Sequence, residues 1–248
     1  KRIFIDGSIN SELCIISADG QEINYFDYSD DLATSKKNNI YLGTVSRVEP
    51  SLQAAFIEFG SEKKAFLPFD EIHPSYFKLP HNEKILFKNN DKNRYEDDEK
   101  ESKRHFLSFY RKYKIQDVIK KDQVLLIQIV KEERGTKGAA ITTFISLPGR
   151  YSVLLPNNSS SGGVSKKISN PLDRKRLKKL HDNLNLPEGM SLIIRTNAIS
   201  AEDDDIISDF SYLRKLWTKI REDTLKSKAP VLISELDTPI IKVVRDFN

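Results

Sequence analysis

Apolar and polar residues alternate in short runs through the first half of the chain, and the period lengthens in the second half. Residues 2–5, 12–17 and 22–26 read as strands, with Asp19-Gly20 punctuating a hairpin. A polar link, residues 29–38, leads to a further series of short strands at 40–48, 54–59 and 64–68. After an interruption, 123–131 and 139–147 continue it. Several short strands with Gly and Pro turns suggest a small five-stranded barrel of the OB type. Successive side chains of a strand point to opposite faces, so Ala55, Ile57 and Phe59 are expected inside, with Phe56 and Glu58 outside. In the next strand Leu67 points in and Phe66 points out. Two phenylalanines then stand on the wet face of a small sheet. Such rings are either covered by a neighbouring element or offered to the bases of a single-stranded nucleic acid.

Past residue 147 the pattern changes. Residues 151–155 and 191–195 read as strands, and 156–163 as a flexible loop rich in Asn, Ser and Gly. Asn170-Pro171 opens a basic helix with Leu177, Leu180 and Leu184 on its apolar face. Ser200 is expected to cap a long helix reaching about Lys226, in which Ile206, Phe210, Leu213, Trp217 and Ile220 form one apolar stripe. Glu202, Asp203, Asp204 and Asp205 load its first turns, and Asp203, Asp204 and Asp205 look superficially like a magnesium ligand set. Their place in the first turns suits the positive end of the helix dipole instead. Residues 230–236 and 240–247 read as two more strands, with the N-terminal strands as their natural partners. Both ends of the chain would then build one discontinuous domain, with other modules inserted in it.

Composition narrows the setting. Of 248 residues, 31% are charged, yet the net charge is only +4, with a pI near 8.9, which permits nucleic-acid binding without arguing for it. The single cysteine, Cys14, rules out a disulfide or a cysteine-based zinc site within the chain and reads as a small buried residue. His73, His81, His105 and His181 show no ligand spacing. No apolar run approaches the roughly 20 residues of a membrane helix, and the first residues lack the apolar region of a signal peptide. These features point to a soluble protein in a reducing, cytoplasmic setting. Residues 77–121 form an interruption dense in mixed charge, especially over 89–104. It reads as a solvated insertion or, given Arg111-Lys112-Tyr113-Lys114, as an auxiliary RNA-contacting flap.

Several segments carry a resemblance. They are residues 40–68, with Arg47-Val48-Glu49-Pro50-Ser51-Leu52-Gln53-Ala54-Ala55-Phe56, then 131–147, then Leu155-Pro156-Asn157-Asn158 with Gly162-Gly163. Leu186-Pro187-Glu188-Gly189-Met190, Arg195-Thr196 and Arg245-Asp246 follow. Together they make the chain resemble the N-terminal half of the ribonuclease E/ribonuclease G family of bacterial endoribonucleases, over nearly all of its length except 77–119. The resemblance implies an α+β architecture. An OB-type RNA-binding barrel (36–143, with the charged insertion 77–121) and a 5′-sensor region (144–228) are inserted in a discontinuous ribonuclease-H-like part (1–35 and 229–248).

By the same resemblance, Phe56 and Phe66 stack on bases and Lys137 contacts the RNA backbone; the nearby Lys131 and Arg134 are expected to add phosphate contacts. Arg195 and Thr196 clamp a terminal phosphate. Gly149 and Val153 match positions that contact the terminal nucleotide, where a missing side chain at Gly149 lets RNA approach. Lys166 stands where the family pattern often has Arg, so it keeps the charge and loses the planar fork. The expected partner is single-stranded RNA with a 5′-monophosphate, with no small-molecule substrate. No catalytic residue or cofactor is expected in this chain. Magnesium, and zinc shared between protomers, would belong to a deoxyribonuclease-I-like catalytic part beyond Asn248, as would oligomerisation. The chain alone would bind RNA and cut it poorly or not at all, and the full-length enzyme would sit in the cytoplasm or at the inner face of the membrane. A second reading is a non-catalytic single-stranded-RNA-binding protein ending at residue 248. A third, a translation-factor-like OB protein, leaves Gly149, Arg195 and Thr196 without purpose.

Overall fold

The hairpin residues near the N-terminus form the strands that their alternation dictates. β1 (Arg2–Gly7), β2 (Leu13–Asp19) and β3 (Glu22–Ser29) make an antiparallel sheet in the order β1-β2-β3. Gly20 takes a left-handed φ of +63° in the β2–β3 turn. The structure is a computed structural model and describes residues 2–7, 13–20, 22–29, 36–79, 110–158 and 162–247. The mixed-charge stretch 89–104, His81, His105 and most of the link at 29–38 lie outside them. Cys14 is half-exposed, and its neighbour Ile15 is the buried residue, because β2 turns alternate side chains to its two faces.

The barrel closes as its alternation suggests. β4 (Ile40–Glu49) pairs with β5 (Ala54–Glu58), β5 with β6 (Ala65–Pro68), and β6 in parallel with β8 (Ala140–Thr142). β8 pairs with β7 (Val124–Lys131), and β7 returns to β4. Val45, Ile57, Phe59, Leu67, Leu125 and Ile127 fill the interior and are essentially inaccessible. Helix α1 (Ile115–Val118) plugs the barrel with Ile115 and Val118. Nearby, the Tyr110 hydroxyl donates to the Ile72 carbonyl at 2.7 Å. Burial first, then Asp70 and Glu71, raise its pKa well above that of a free phenol, so it stays a donor.

A second layer covers part of the barrel. β9 (Leu147–Pro148), β10 (Ser152–Leu155), β11 (Gly163–Val164) and β12 (Ser191–Ile194) form a sheet in the order β11-β12-β10-β9. Helix α2 (Pro171–Asn183) starts at Asn170, whose side chain accepts from the Leu172 N–H at 2.9 Å, and it buries Leu177 and Leu180. Helix α3 (Asp203–Lys226) buries Ile206, Phe210, Leu213 and Ile220 as its stripe predicts. Its N-cap is Glu202 and not Ser200, because residues Thr196–Ser200 are used in a 3₁₀ turn. Outward residues of the barrel, Ile40, Leu42 and Leu126, pack with Leu147, Leu154 and Phe210 of this layer. Buried Gln128 pins the joint. Its amide donates to the Asn38 and Ser146 carbonyls, both at 2.9 Å, and its oxygen accepts from the Ser146 N–H at 2.8 Å.

The end of the chain departs from its local pattern. β13 (Val231–Ser234) is a strand, but it pairs with β4 (Val231 opposite Leu42) and not with the N-terminal strands. Residues 240–247 belong to a helix, α4 (Pro239–Phe247), and not to a strand. Thr238 starts it, its hydroxyl accepting from the Ile241 N–H at 3.3 Å, and Pro239 suits a first helical turn. Val243 is buried, and packing of this helix against β2 and β3 outweighs the β-propensity of Ile and Val. The chain ends therefore meet as a helix on a sheet. Among the described residues, no helix is long and apolar enough to cross a membrane.

Gly138, two residues before β8, packs against the backbone of Lys64, just before β6. A Cβ there would stand 1.9 Å from the Lys64 carbonyl oxygen. Gly138→Ala should therefore destabilise the barrel by about 1–3 kcal/mol, read as a lowered midpoint in urea unfolding. An unchanged midpoint would show that the strand edge yields freely.

Candidate nucleic-acid interface

Two register irregularities set the outer face of the barrel. β4 shifts against β5 between Val45 and Arg47, and β7 shifts against β8 between Ile129 and Lys131. After each shift an outward side chain comes opposite an outward partner. The result is a row across five strands: Arg47 opposite Phe56, Phe56 opposite Phe66, Phe66 opposite Ala140, Ala140 opposite Lys131. Residues directly opposite one another share a face. Phe56 and Phe66 are half-exposed there, with ring centroids 5.9 Å apart in an edge-to-face arrangement. The Arg47 guanidinium carbon lies 4.8 Å from the centre of the Phe56 ring. Such a cation–ring contact holds an otherwise mobile guanidinium over the platform. Arg47 belongs to the motif quoted above, yet its place in the row depends on a bulge that no local pattern announces.

Beyond Lys131 the chain makes a tight turn. Arg134 and Lys137 exchange N–H···O bonds of 3.1 and 3.0 Å around Gly135, whose φ is +57°. The Lys63 ammonium donates to the Gly135 carbonyl at 2.5 Å, and the Ser61 hydroxyl donates to Glu133. These contacts back the turn against the β5–β6 loop. Lys131, Arg134 and Lys137 are all exposed on it. Rings flanked by cations are suited to bases and phosphates of a single strand.

The second group gathers at one edge of the four-stranded sheet. Ser152 at the start of β10 pairs with Ile194 at the end of β12, and Val164 at the end of β11 also pairs with Ile194. The residues just outside these strand ends therefore share an edge. They are Gly149 to Tyr151 before β10, Arg195 and Thr196 after β12, and Lys166 after β11. The Arg195 N–H donates to the Tyr151 carbonyl at 2.8 Å, and its guanidinium donates to the Gly149 carbonyl at 2.5 Å. Thr196 and Lys166 are exposed, while Val153 is half-buried in β10 between Pro148 and Ile193. A guanidinium, an ammonium and a hydroxyl at one edge can meet a compact anion.

One residue at this edge escaped sequence reasoning. Asp209 of α3 accepts from the N–H groups of Arg150 (2.9 Å), Tyr151 (3.2 Å) and Ser152 (3.0 Å), and from the Ser152 hydroxyl at 2.7 Å. The readable signal was its position three residues after Ile206 and next to Phe210, an acid bordering an apolar stripe. Nearby, Arg176 pairs with Asp203 at 2.7 Å and donates to the carbonyls of Ala198, Ile199 and Ala201. Among the described residues, no group of three or more His, Cys, Asp or Glu side chains is gathered as a metal ion would require. Asp203, Asp204 and Asp205 lie in the first turn of α3, where carboxylates suit the positive end of the helix dipole.

Known proteins resemble this sequence. The family model described as "Ribonuclease E/G family" matches residues 146–248. Ribonuclease E of Escherichia coli (strain K12) is 38% identical over 247 residues, which is 100% of this chain and 21% of that protein. Ribonuclease E of Buchnera aphidicola (subsp. Schizaphis graminum) is 37% identical, again over 100% of this chain and 23% of its own length. Ribonuclease G of E. coli K12 is 35% identical over 84% of this chain and 38% of its own length. The chain thus spans a minor share of these relatives, and over that span it is similar to ribonucleases E and G.

Proposed function

We propose that this chain supplies the RNA-holding and 5′-monophosphate-sensing surfaces of a ribonuclease E/G-type endoribonuclease, which cleaves single-stranded RNA in RNA processing and messenger RNA decay. The observation that carries this reading is the cross-strand row Arg47–Phe56–Phe66–Ala140–Lys131. Half-exposed rings in register, with a cation at each end of the row, match alternating bases and phosphates. Stacking tolerates any base, which suits a decay enzyme that meets many sequences.

The edge formed by Arg195, Thr196 and Lys166 supports the second half of the reading. A terminal phosphate monoester carries more charge than an internal diester and has three acceptor oxygens. A guanidinium, a hydroxyl and an ammonium reward that difference. Gly149 and Val153 would meet the terminal nucleotide. In this reading residues 36–143 hold the strand, 144–228 read its end, and 1–35 with 229–248 form a ribonuclease-H-like support. Hydrolysis at magnesium, zinc-linked assembly and oligomerisation are assigned to other parts of the whole enzyme, which works in the cytoplasm.

Three measurements on short single-stranded RNAs test the proposal. Phe56→Ala should weaken binding by about 1–3 kcal/mol and leave the preference for a 5′-monophosphate over a 5′-hydroxyl intact. Unchanged affinity at matched salt would make Phe56 structural. Lys137→Ala should flatten the dependence of log affinity on log salt by about 0.7, whatever the sequence. Arg195→Ala should cut the 5′-monophosphate preference by about tenfold, the weight of one charge-assisted hydrogen bond. Equal discrimination by variant and parent would sink the sensor.

A further inference from the structure

We infer that Asp209 is a positioning residue for terminal-phosphate recognition: it fills a nest of backbone N–H groups at residues 150–152 and so fixes the carbonyl that braces Arg195. The inference rests on the sensor reading above.

Three successive N–H groups aimed at one point form a concavity that binds anions. Here the N–H groups of Arg150, Tyr151 and Ser152 all meet the Asp209 carboxylate, at 2.9, 3.2 and 3.0 Å, and the Ser152 hydroxyl adds a fourth bond at 2.7 Å. The nest is filled from within the protein, so an incoming phosphate meets the side chains on the outer side of the loop. The carboxylate also occupies the space beside Gly149. A Cβ there would lie 2.5 Å from both carboxylate oxygens. With four hydrogen bonds holding it, the carboxylate cannot swing aside cheaply. The absence of a side chain at Gly149 is thus required by Asp209 before any RNA arrives.

The consequence reaches Arg195 through the backbone. Its guanidinium donates to the Gly149 carbonyl at 2.5 Å, and its N–H to the Tyr151 carbonyl at 2.8 Å. Bracing one edge of a planar fork on a fixed carbonyl sets the orientation of the whole plane. A braced side chain also surrenders less rotamer freedom when the phosphate binds. Electrostatics makes the sign of the effect informative. An acid near an anion site repels the anion, so a bystander carboxylate would weaken phosphate binding, and its neutralisation would strengthen it. A positioning carboxylate gives the opposite sign.

The test uses the 248-residue chain and two single-stranded RNAs of one sequence, carrying either a 5′-monophosphate or a 5′-hydroxyl, at matched salt. Asp209→Asn, nearly equal in volume, should lower the affinity ratio of the two RNAs by about fivefold or more, with affinity for the 5′-hydroxyl RNA unchanged. Amides 150–152 should exchange hydrogen faster in that variant, and those of Phe210 and Leu213 should not. Gly149→Ala should lower the ratio in the parent and add nothing in an Asp209→Ala background, because the two positions share one contact. An unchanged or raised ratio for Asp209→Asn overturns the inference, and the sensor reading survives if Arg195→Ala still cuts the preference. Independent, multiplying losses at positions 149 and 209 also overturn it. A parent chain that does not discriminate the two RNAs overturns both.

Discussion

The barrel buries its strands on both sides over part of its circumference, and the rest of the molecule is arranged by that double burial. Tyr41 and Val45 of β4 face the interior, while Ile40 and Leu42 of the same strand pack outward against the second sheet and α3. Each large apolar side chain removed from water contributes about 1.5–3 kcal/mol, so this contact determines which flank of the barrel is covered. β5 and β6 lie on the other flank, and Phe56 and Phe66 are left half-exposed there. The same joint locks the second sheet onto the barrel. Gln128 adds direction to it, since a buried amide with each hydrogen bond met leaves little room for sliding.

The two candidate surfaces share a device. In each, a flexible guanidinium is held before any ligand arrives. Arg47 rests over the Phe56 ring, and Arg195 rests on the Gly149 carbonyl. Both arginines stand on strands or at strand ends and not in long loops, which keeps donors within a narrow geometry. Both depend on irregular backbone close by: a bulge beside Arg47, and a glycine-containing turn beside Arg195. Bulges re-aim side chains without dismantling a sheet.

Much of the fold could be read from local pattern. The in-and-out assignment of Ala55, Phe56, Ile57, Phe66 and Leu67 follows from a period of two, and the stripe on α3 from a period of 3.6. Asn170-Pro171 marks the start of α2 by capping chemistry that acts within a few residues. The failures have a common cause. Residues 240–247 are rich in Ile and Val, and only the sheet they cover makes them a helix. β13 finds its partner in β4, about 190 residues earlier, a pairing that loop-closure entropy and packing decide and alternation does not. The start of α3 moved by two residues because the preceding 3₁₀ turn claimed Ser200.

The sequence by itself determined the closed barrel, the outward rings and the strand ends that carry Arg195 and Thr196, because these follow from side-chain period and turn chemistry within one or two elements. Only the tertiary structure decided that Arg47, Phe56, Phe66 and Lys131 fall in one row, since two register shifts must first bring them opposite one another. It also decided that Asp209, about 60 residues after Gly149, stands where a Cβ would be. Contacts between distant segments are governed by how whole layers pack, and no local run of residues contains that information.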